Sequence, residues 1–368
     1  MNFQTKDESG IYILNKVIFI EFYNRLKSVW ISDEFKDMTV IKDSINMIST
    51  SSFQFSIKQN ELIHSCKVIS YKYGLIRVLF DNQSETKYKN KTNIGDNLEL
   101  KPFTNFKIEE NRIIAEIIDD EEIKLKLDID VNNLCHEYSH KKTQTYKLEI
   151  ILSPFFMINY YNNDILISSI NRNKKLAVLK EKNFSPNSID FTTYNASSVN
   201  GLPERLSSFS LKDDAYRLYN LDAFDQVIGS PKSLYGSIPM LHHVIGSGDC
   251  LFTIFINNSS ETWVEIESSL DEEKMTTWST EGGVLDIYLL SDCNFHKIFF
   301  KIANLTGFAP MAPIFSLGYH HCRWGFLSQE DITEVDDLMT KYKIPYDVLW
   351  LDIDVRGSMN YLNLFIIL

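Results

Sequence analysis

The 368-residue sequence lacks an apolar run long enough to cross a membrane. A transmembrane helix needs roughly 20 consecutive apolar residues, and the nearest approach is the short stretch 361–368. Residues 1–8 are polar and acidic, whereas a secretory signal begins with a basic region followed by an apolar stretch. We therefore expect no membrane insertion and no signal peptide within this sequence.

Basic clusters and closely paired cysteines are also missing. The formal net charge is −12, and no dense Lys/Arg patch is interleaved with aromatic residues. Repulsion from phosphate backbones therefore argues against nucleic acid as a partner. The cysteines form no C-x-x-C pair, which argues against a zinc ribbon and a dense disulfide framework but leaves one or two bridges open. They are Cys66, Cys135, Cys250, Cys293 and Cys322.

What the sequence does contain is a series of short β-type runs between polar turns. They lie at 75–80, 112–118 and 122–127, the last with almost perfect alternation of apolar and polar residues, and strand-like runs return at 251–256 and 284–290. Alternation with a period of two is typical of strands with one solvated face, and many such strands at short spacing predict an antiparallel β-sandwich. Stretch 180–214 is rich in Ser and Asn without periodicity, and we predict a long loop there.

The pattern changes after Gly307. An apolar segment at 314–319 predicts a strand, Ser328 is followed by an amphipathic helical pattern, and 348–351 predicts a second strand. Asp331 at the third helical position would complete a capping box with Ser328. Strand, helix and strand in this order predict a βαβ unit with parallel strands. We therefore place a domain boundary between residues 1–307 and 308–368.

Two groups of residues in the second part are candidates for chemistry. Asp352 and Asp354 follow the second predicted strand, where barrel enzymes hold their reactive groups, although an aspartate there also ends strands. His320, His321 and Cys322 resemble a metal-ligand cluster. Because adjacent strand residues point to opposite faces, we instead expect them to line a barrel mouth as loop or core residues.

The motif N-x-S/T occurs seven times. In a chain rich in Asn and Ser, chance accounts for most occurrences, and the motif matters only in the secretory pathway. The sites are Asn82, Asn90, Asn183, Asn195, Asn257, Asn258 and Asn304.

Several longer motifs resemble glycoside hydrolase family 31. The resemblance is close from about residue 200 to 354 and sparse before that. It rests on YRLYNLDAF at 216–224, LYGSIP at 234–239, PIFSLGYHHCRWGF at 313–326 and IPYDVLWLDID at 344–354, with GLPER at 201–205, ETWV at 261–264 and NFQT with DES near the start in support.

This resemblance implies a galactose-mutarotase-like β-sandwich followed by a (β/α)8 barrel, with a retaining exo-α-glucosidase activity and no cofactor or metal. It further implies an enzyme of the endoplasmic reticulum lumen that removes glucose from N-linked glycans and has a non-catalytic β subunit as its partner. By position, Asp222 matches an aspartate on a sandwich loop that reaches the active site. Asp352 matches one that binds the terminal sugar's hydroxyls. We expect both carboxylates to face one cavity, with Trp324 and Trp350 as its walls or as core residues.

The nucleophile and the acid/base of such enzymes lie on later barrel strands, in a Trp-x-Asp-Met-Asn-Glu-Pro motif and beyond, and the sequence contains no such motif. We therefore expect an N-terminal portion with a truncated barrel, which is inactive by itself. The alternative is a non-catalytic protein that binds carbohydrate or a partner. An aldose epimerase on the same sandwich is disfavoured, because the specific motifs lie toward and within the barrel. The DNA after the codon of Leu368 would discriminate between the first two.

Overall fold

The computed structural model describes residues 38–49, 52–59, 62–71, 74–81, 113–117, 123–130, 145–152, 155–178, 186–222, 227–248, 250–269 and 272–352. It divides into two compact units, Met1–Leu305 and Thr306–Leu368. No helix in these ranges is long and apolar enough to cross a membrane. The amino-terminal motif at 2–9 and the apolar stretch 361–368 lie outside the described residues.

The first unit is a sandwich of two antiparallel sheets, which confirms the predicted fold class. Sheet A has the strand order β1-β2-β3-β4-β18-β15-β14-β12, and sheet B has β13-β16-β17-β11-β9-β8-β7-β6-β5 with β10 beside β11. The strands are β1 Met38–Ser49, β2 Ser52–Gln59, β3 Leu62–Ser70, β4 Ile76–Asp81, β5 Ile113–Ile117, β6 Ile123–Asp130, β7 Thr145–Ile151, β8 Met157–Asn162, β9 Ile165–Ile170, β10 Ala177–Val178, β11 Asn187–Thr193, β12 Ala196–Gly201, β13 Asp214–Leu218, β14 Met240–Ile245, β15 Cys250–Ile256, β16 Thr262–Ser268, β17 Lys274–Thr280 and β18 Leu285–Asp292.

Aromatic rings from both sheets fill the space between them. Phe55 of sheet A lies 5.7 Å from Phe156, which precedes β8 of sheet B, and Tyr160 of sheet B lies 5.2 Å from Phe252 of sheet A, measured between ring centroids. All four side chains are buried. Alternation along the strands therefore sends one side of each sheet into a shared core, as sandwich packing requires.

The predicted loop at 180–214 is wrong, because β11 and β12 run through it. All seven residues of β11 are buried, since the strand pairs with β9 and β17 inside sheet B. The buried Asp190 carboxylate of this strand accepts hydrogen bonds from the Asn173 and Lys175 backbone N–H groups, both at 2.9 Å. A buried strand with several polar residues lacks the hydrophobic alternation on which the prediction depended.

Helix α1, Phe295–Thr306, follows β18 and was not predicted. Its Lys301 is buried, and its Nζ lies 2.9 Å from Asp292 Oδ2 and 2.8 Å from the Ser291 carbonyl oxygen. A disulfide between Cys250 and Cys293 joins the start of β15 to the residue next to this ion pair. Burial lowers the pKa of Lys301 and the Asp292 carboxylate opposes that shift. The ion pair thus ties α1 to sheet A, and the disulfide ties the turn before the helix to β15.

The second unit contains a 3-10 helix Ile314–Leu317, strand β19 His320–Arg323, helix α2 Gln329–Tyr342 and strand β20 Val348–Leu351. Strands β19 and β20 are parallel, which confirms the predicted βαβ unit, and Ser328 and Asp331 form the predicted capping box. The strand predicted at 314–319 is wrong. Ser316 donates its backbone N–H and its hydroxyl to the Pro313 carbonyl oxygen, which closes a 3-10 turn, and pairing begins only at His320.

Removing the buried ion pair between Lys301 and Asp292 should destabilise the protein much more than removing an ion pair near the surface. We expect Asp292→Asn to lower the free energy of unfolding by roughly 3–5 kcal/mol, because it leaves the buried Lys301 ammonium without a counter-charge. Glu273→Gln removes the partner, at 2.8 Å, of the exposed Arg172 and should cost no more than about 1 kcal/mol. Urea unfolding followed by circular dichroism measures both. Equal losses for the two variants would contradict the role given to the pair.

Candidate functional site

The segment between β13 and β14 carries Asp222 and forms a surface loop of the first unit. Asp222 is exposed, and residues 223–226 after it lie outside the described part of the chain. The Leu221 backbone N–H donates to the Leu234 carbonyl oxygen at 2.7 Å. The first arm of the loop, which leads from β13 to Asp222, therefore lies beside the returning arm, which leads to β14.

Arg205, from the GLPER motif, is the main anchor of the loop. Its guanidinium donates to the carbonyl oxygens of Leu202 at 2.5 Å, Pro231 at 2.5 Å and Arg217 at 2.9 Å, and it lies 5.2 Å from the centre of the Tyr216 ring. Burial lowers the pKa of Arg205 to about 10, so the side chain remains a cation near neutral pH. One half-buried cation therefore holds both ends of the segment that contains Asp222.

Glu204 holds the returning arm of the same loop. Its carbonyl oxygen accepts from the Leu234 N–H at 3.0 Å, its N–H donates to the Gly236 carbonyl at 2.8 Å, and its Oε2 accepts from the Gly236 N–H at 2.9 Å. A Cβ on residue 236 would lie 2.8 Å from the Glu204 carboxyl carbon. A larger residue there would displace the Glu204 carboxylate from its hydrogen bond, so the glycine of the LYG motif permits this contact.

The Asp222 carboxylate is oriented by Tyr235. The Tyr235 hydroxyl donates to Asp222 Oδ1 at 2.5 Å, and this hydrogen bond and the carboxylate charge raise the pKa of Tyr235. Both side chains are exposed. An ionised carboxylate has further acceptor sites besides the one that Tyr235 occupies. The arrangement can therefore accept hydrogen bonds from a polyhydroxylated ligand.

A second charged cluster supports the first arm of the loop. Arg217 Nε lies 2.7 Å from Glu261 Oε1, which also accepts from Trp263 Nε1 at 3.0 Å. The Arg217 guanidinium lies 4.2 Å from the centre of the Tyr219 ring. Glu261 of the ETWV motif thus forms an ion pair with Arg217 of the YRLYNLD motif, although 44 residues separate the two in sequence.

In the second unit, Asp352 is half-buried and follows β20 directly, at the carboxyl end of the strand as predicted from the sequence. Trp350, on the same strand, donates its Nε1–H to His320 Nδ1 at 3.1 Å and is 53% exposed, while Trp324 is 78% exposed. Neither tryptophan is a core residue of the described part. Asp354 lies outside the described residues.

His320, His321 and Cys322 lie in strand β19 and are half-buried or exposed, so they are neither the loop residues nor the core residues that the sequence predicted. His320 Nε2 lies 3.1 Å from the Phe315 carbonyl oxygen, and His321 Nδ1 lies 2.9 Å from the Tyr319 hydroxyl. Within the described ranges, no group of three or more His, Cys, Asp or Glu side chains could hold a metal ion. These imidazoles are engaged in hydrogen bonds within their own unit.

The sequence therefore predicted the two carboxylates but not the residues that hold the loop around Asp222. Asp222 and Asp352 lie in different units, and a shared cavity for them stays a prediction. Arg205, Glu204 and Tyr235 were present in the motifs without a role assigned to them. The signal for Arg205 was its place after a Gly-Leu-Pro turn, but its carbonyl partners at 217 and 231 depend on the tertiary fold.

Comparison with known proteins places both units in one family. The model of the glycosyl hydrolase 31 N-terminal galactose mutarotase-like domain matches residues 65–265, more than half of the chain. The model of the glycosyl hydrolases family 31 TIM-barrel domain matches residues 309–364.

Curated relatives are similar over about half of this chain. Neutral alpha-glucosidase AB of Dictyostelium discoideum is 37% identical over 186 residues, which are 47% of this chain and 19% of the relative. Glucosidase 2 subunit alpha of Saccharomyces cerevisiae is 35% identical over 179 residues, 47% of this chain and 18% of the relative. The aligned region spans about a fifth of each of these relatives.

Solved structures share the fold. The DNJ-bound glucosidase II alpha subunit matches with a TM-score of 0.66 at 22% identity, over 90% of this chain and 41% of that one. The endoplasmic reticulum glucosidase II heterodimer of catalytic subunit and regulatory binding domain matches with a TM-score of 0.65 at 22% identity, over 96% and 43%. Taken with the two matching domain models, these observations show that the chain belongs to glycoside hydrolase family 31.

Proposed function

We propose that these residues are the N-terminal portion of a retaining α-glucosidase that acts on glucose residues of N-linked glycans. In this proposal residues 1–307 form the sandwich domain and 308–368 begin the catalytic barrel. Asp222 and Asp352 contact the sugar, while the nucleophile and the acid/base are not among the 368 residues. The observation that carries the proposal is the loop of a family 31 domain in which Asp222 is exposed and its carboxylate is oriented by Tyr235.

The proposed location is the lumen of the endoplasmic reticulum, with a non-catalytic β subunit as partner. The names of the relatives support this, since one related structure is an endoplasmic reticulum heterodimer with a regulatory subunit. The Cys250–Cys293 disulfide gives independent support, because disulfides persist in oxidising compartments and are rare in the cytosol.

The geometry around Asp222 supports the proposed sugar contact. Asp222 and Tyr235 form an exposed carboxylate and hydroxyl pair at 2.5 Å, and the backbone around them is fixed by Arg205 and Glu204. A preorganised acceptor loses little conformational entropy when it binds hydroxyl groups. The pair is therefore suited to select a sugar's hydroxyl pattern and not to perform the bond cleavage itself.

The 368-residue chain should hydrolyse no α-glucoside. Retaining hydrolysis needs two carboxylates about 5–5.5 Å apart, one as nucleophile and one as acid/base, and we assign neither role to any residue of this chain. The measurement is release of chromophore from a chromogenic α-glucoside by the purified protein. Turnover that a substitution within these 368 residues abolishes would overturn the assignment.

Binding should survive where hydrolysis does not. We expect the chain to bind an α-linked glucosyl disaccharide, and Asp222→Asn to weaken that binding by roughly tenfold or more, because a hydrogen bond to a charged group contributes about 1.5–3 kcal/mol. Asp352→Asn should have a similar effect.

Isothermal titration measures these affinities, and Glu267→Gln is the control, since Glu267 is an exposed carboxylate on β16 away from the loop. Undiminished affinity in both aspartate variants would remove them as sugar contacts and leave only the fold.

Arg205 should act as a positioning residue for the loop. Lysine keeps the positive charge but cannot donate from a planar fork to three carbonyl oxygens. We therefore expect Arg205→Lys to speed hydrogen exchange at the Leu221 and Leu234 amides by roughly tenfold or more, since each hydrogen bond lost from a charged group is worth about 1.5–3 kcal/mol.

Mass spectrometry of the peptides that contain these amides reads the exchange. Arg172→Lys on the surface is the matched control and should leave it unchanged. Equal protection in wild type and Arg205→Lys would show that other contacts hold the loop.

A further inference from the structure

Of the seven N-x-S/T motifs, those at Asn195, Asn257, Asn258 and Asn304 begin within the described residues, and the one at Asn195 differs from the other three because its Asn side chain is exposed. Asn195 lies with Tyr194 in the turn between β11 and β12, with a backbone φ of 50° and an exposed side chain. Its backbone is fixed, because the Gly246 N–H donates to the Asn195 carbonyl oxygen at 2.8 Å. Ser197, the third residue of the motif, is also exposed.

The motifs at Asn257 and Asn258 are closed off by the fold. Both residues are less than 8% exposed. Asn257 Nδ2 donates to Asp286 Oδ2 at 3.0 Å, and Asn258 Nδ2 donates to the carbonyl oxygens of Gly282 at 2.8 Å and Val284 at 3.2 Å. A sugar on either nitrogen would replace one of its hydrogens and occupy filled space. A chain modified there could not reach this fold.

The surface next to Asn195 has room and suitable chemistry for a sugar. An open cleft of about 790 Å³ begins at the turn, and its walls carry hydroxyl and charged groups together with backbone. Its lining residues besides Asn195 and Ala196 are Ser197, Gly246, Ser247, Ser269, Glu272 and Lys274.

We propose that Asn195 is an N-glycan acceptor, which rests on the proposed location in the endoplasmic reticulum. The co-reactant is a lipid diphosphate-linked oligosaccharide. The Asn195 Nδ2 atom forms a bond to the first carbon of the sugar, the bond between that carbon and the diphosphate oxygen breaks, the lipid diphosphate leaves, and one amide proton is lost. No oxidation or reduction takes place. The glycan then extends from the hairpin turn at the edge of the polar cleft.

The test expresses the 368-residue chain behind a cleavable secretory leader in a eukaryotic cell. The folded fraction is treated with a glycan-removing amidase in heavy-oxygen water, which converts each modified Asn into a labelled Asp that peptide mass spectrometry locates. We expect label at Asn195 and none at Asn257 or Asn258. Asn195→Gln should lose the mass of one glycan.

Two further variants separate modification from folding. Ser197→Ala keeps Asn195 but removes the hydroxyl that the motif requires, so it should lose the same glycan, while Ser197→Thr should keep it. An unmodified Asn195 in the folded wild type, or label at Asn257 or Asn258, would overturn the proposal. Because the leader supplies entry to the compartment, failure at Asn195 is distinct from failure of the proposed function, which the sugar-binding measurements judge separately.

Discussion

The arrangement of the candidate site depends on one half-buried cation that bonds to carbonyl oxygens distant in sequence. The Arg205 guanidinium reaches the Leu202, Pro231 and Arg217 carbonyls at the same time. Withdrawing a charge from water is costly unless it is hydrogen-bonded, so the guanidinium depends on these carbonyls. Because Pro231 and Arg217 lie on either side of Asp222, the hydrogen bonds of Arg205 also restrict where the Asp222 carboxylate lies. A requirement for hydrogen bonding at Arg205 thereby sets the position of the loop that carries Asp222.

The same principle recurs at the other buried charges of the sandwich. Asp190 holds the segment before β10 through backbone N–H groups, Lys301 ties α1 to the end of β18, and Arg77 lies 2.6 Å from Asp286 between β4 and β18. Each charge joins parts of the chain that apolar packing alone would leave free to slide. The apolar core drives the two sheets together, and the paired charges fix which loops and strands lie next to one another.

The fold was predictable from the sequence wherever a strand is an apolar or alternating run between polar turns. Near-perfect alternation predicted β6, short apolar runs predicted β4, β15 and β18, and local chemistry predicted the capping box at Ser328. Strand β11 was not predicted, because its buried Asp190 bonds to residues 173 and 175 and its backbone pairs with β17, contacts that form only in the tertiary fold. For the site, motif resemblance predicts Asp222 and Asp352, whereas the contacts of Arg205, Glu204 and Tyr235 that hold the loop span 12 to 32 residues. No pattern of local spacing encodes those contacts.

The central claim is that the loop held by Arg205 and the end of β20 both serve a sugar. Photo-crosslinking with a diazirine-bearing α-glucoside, followed by peptide mapping, tests it most directly. The account predicts that labels concentrate in residues 216–236 and 346–354 and that free glucosyl disaccharide suppresses them. Labels confined to other surfaces of the sandwich, or labels that the disaccharide does not suppress, would contradict it.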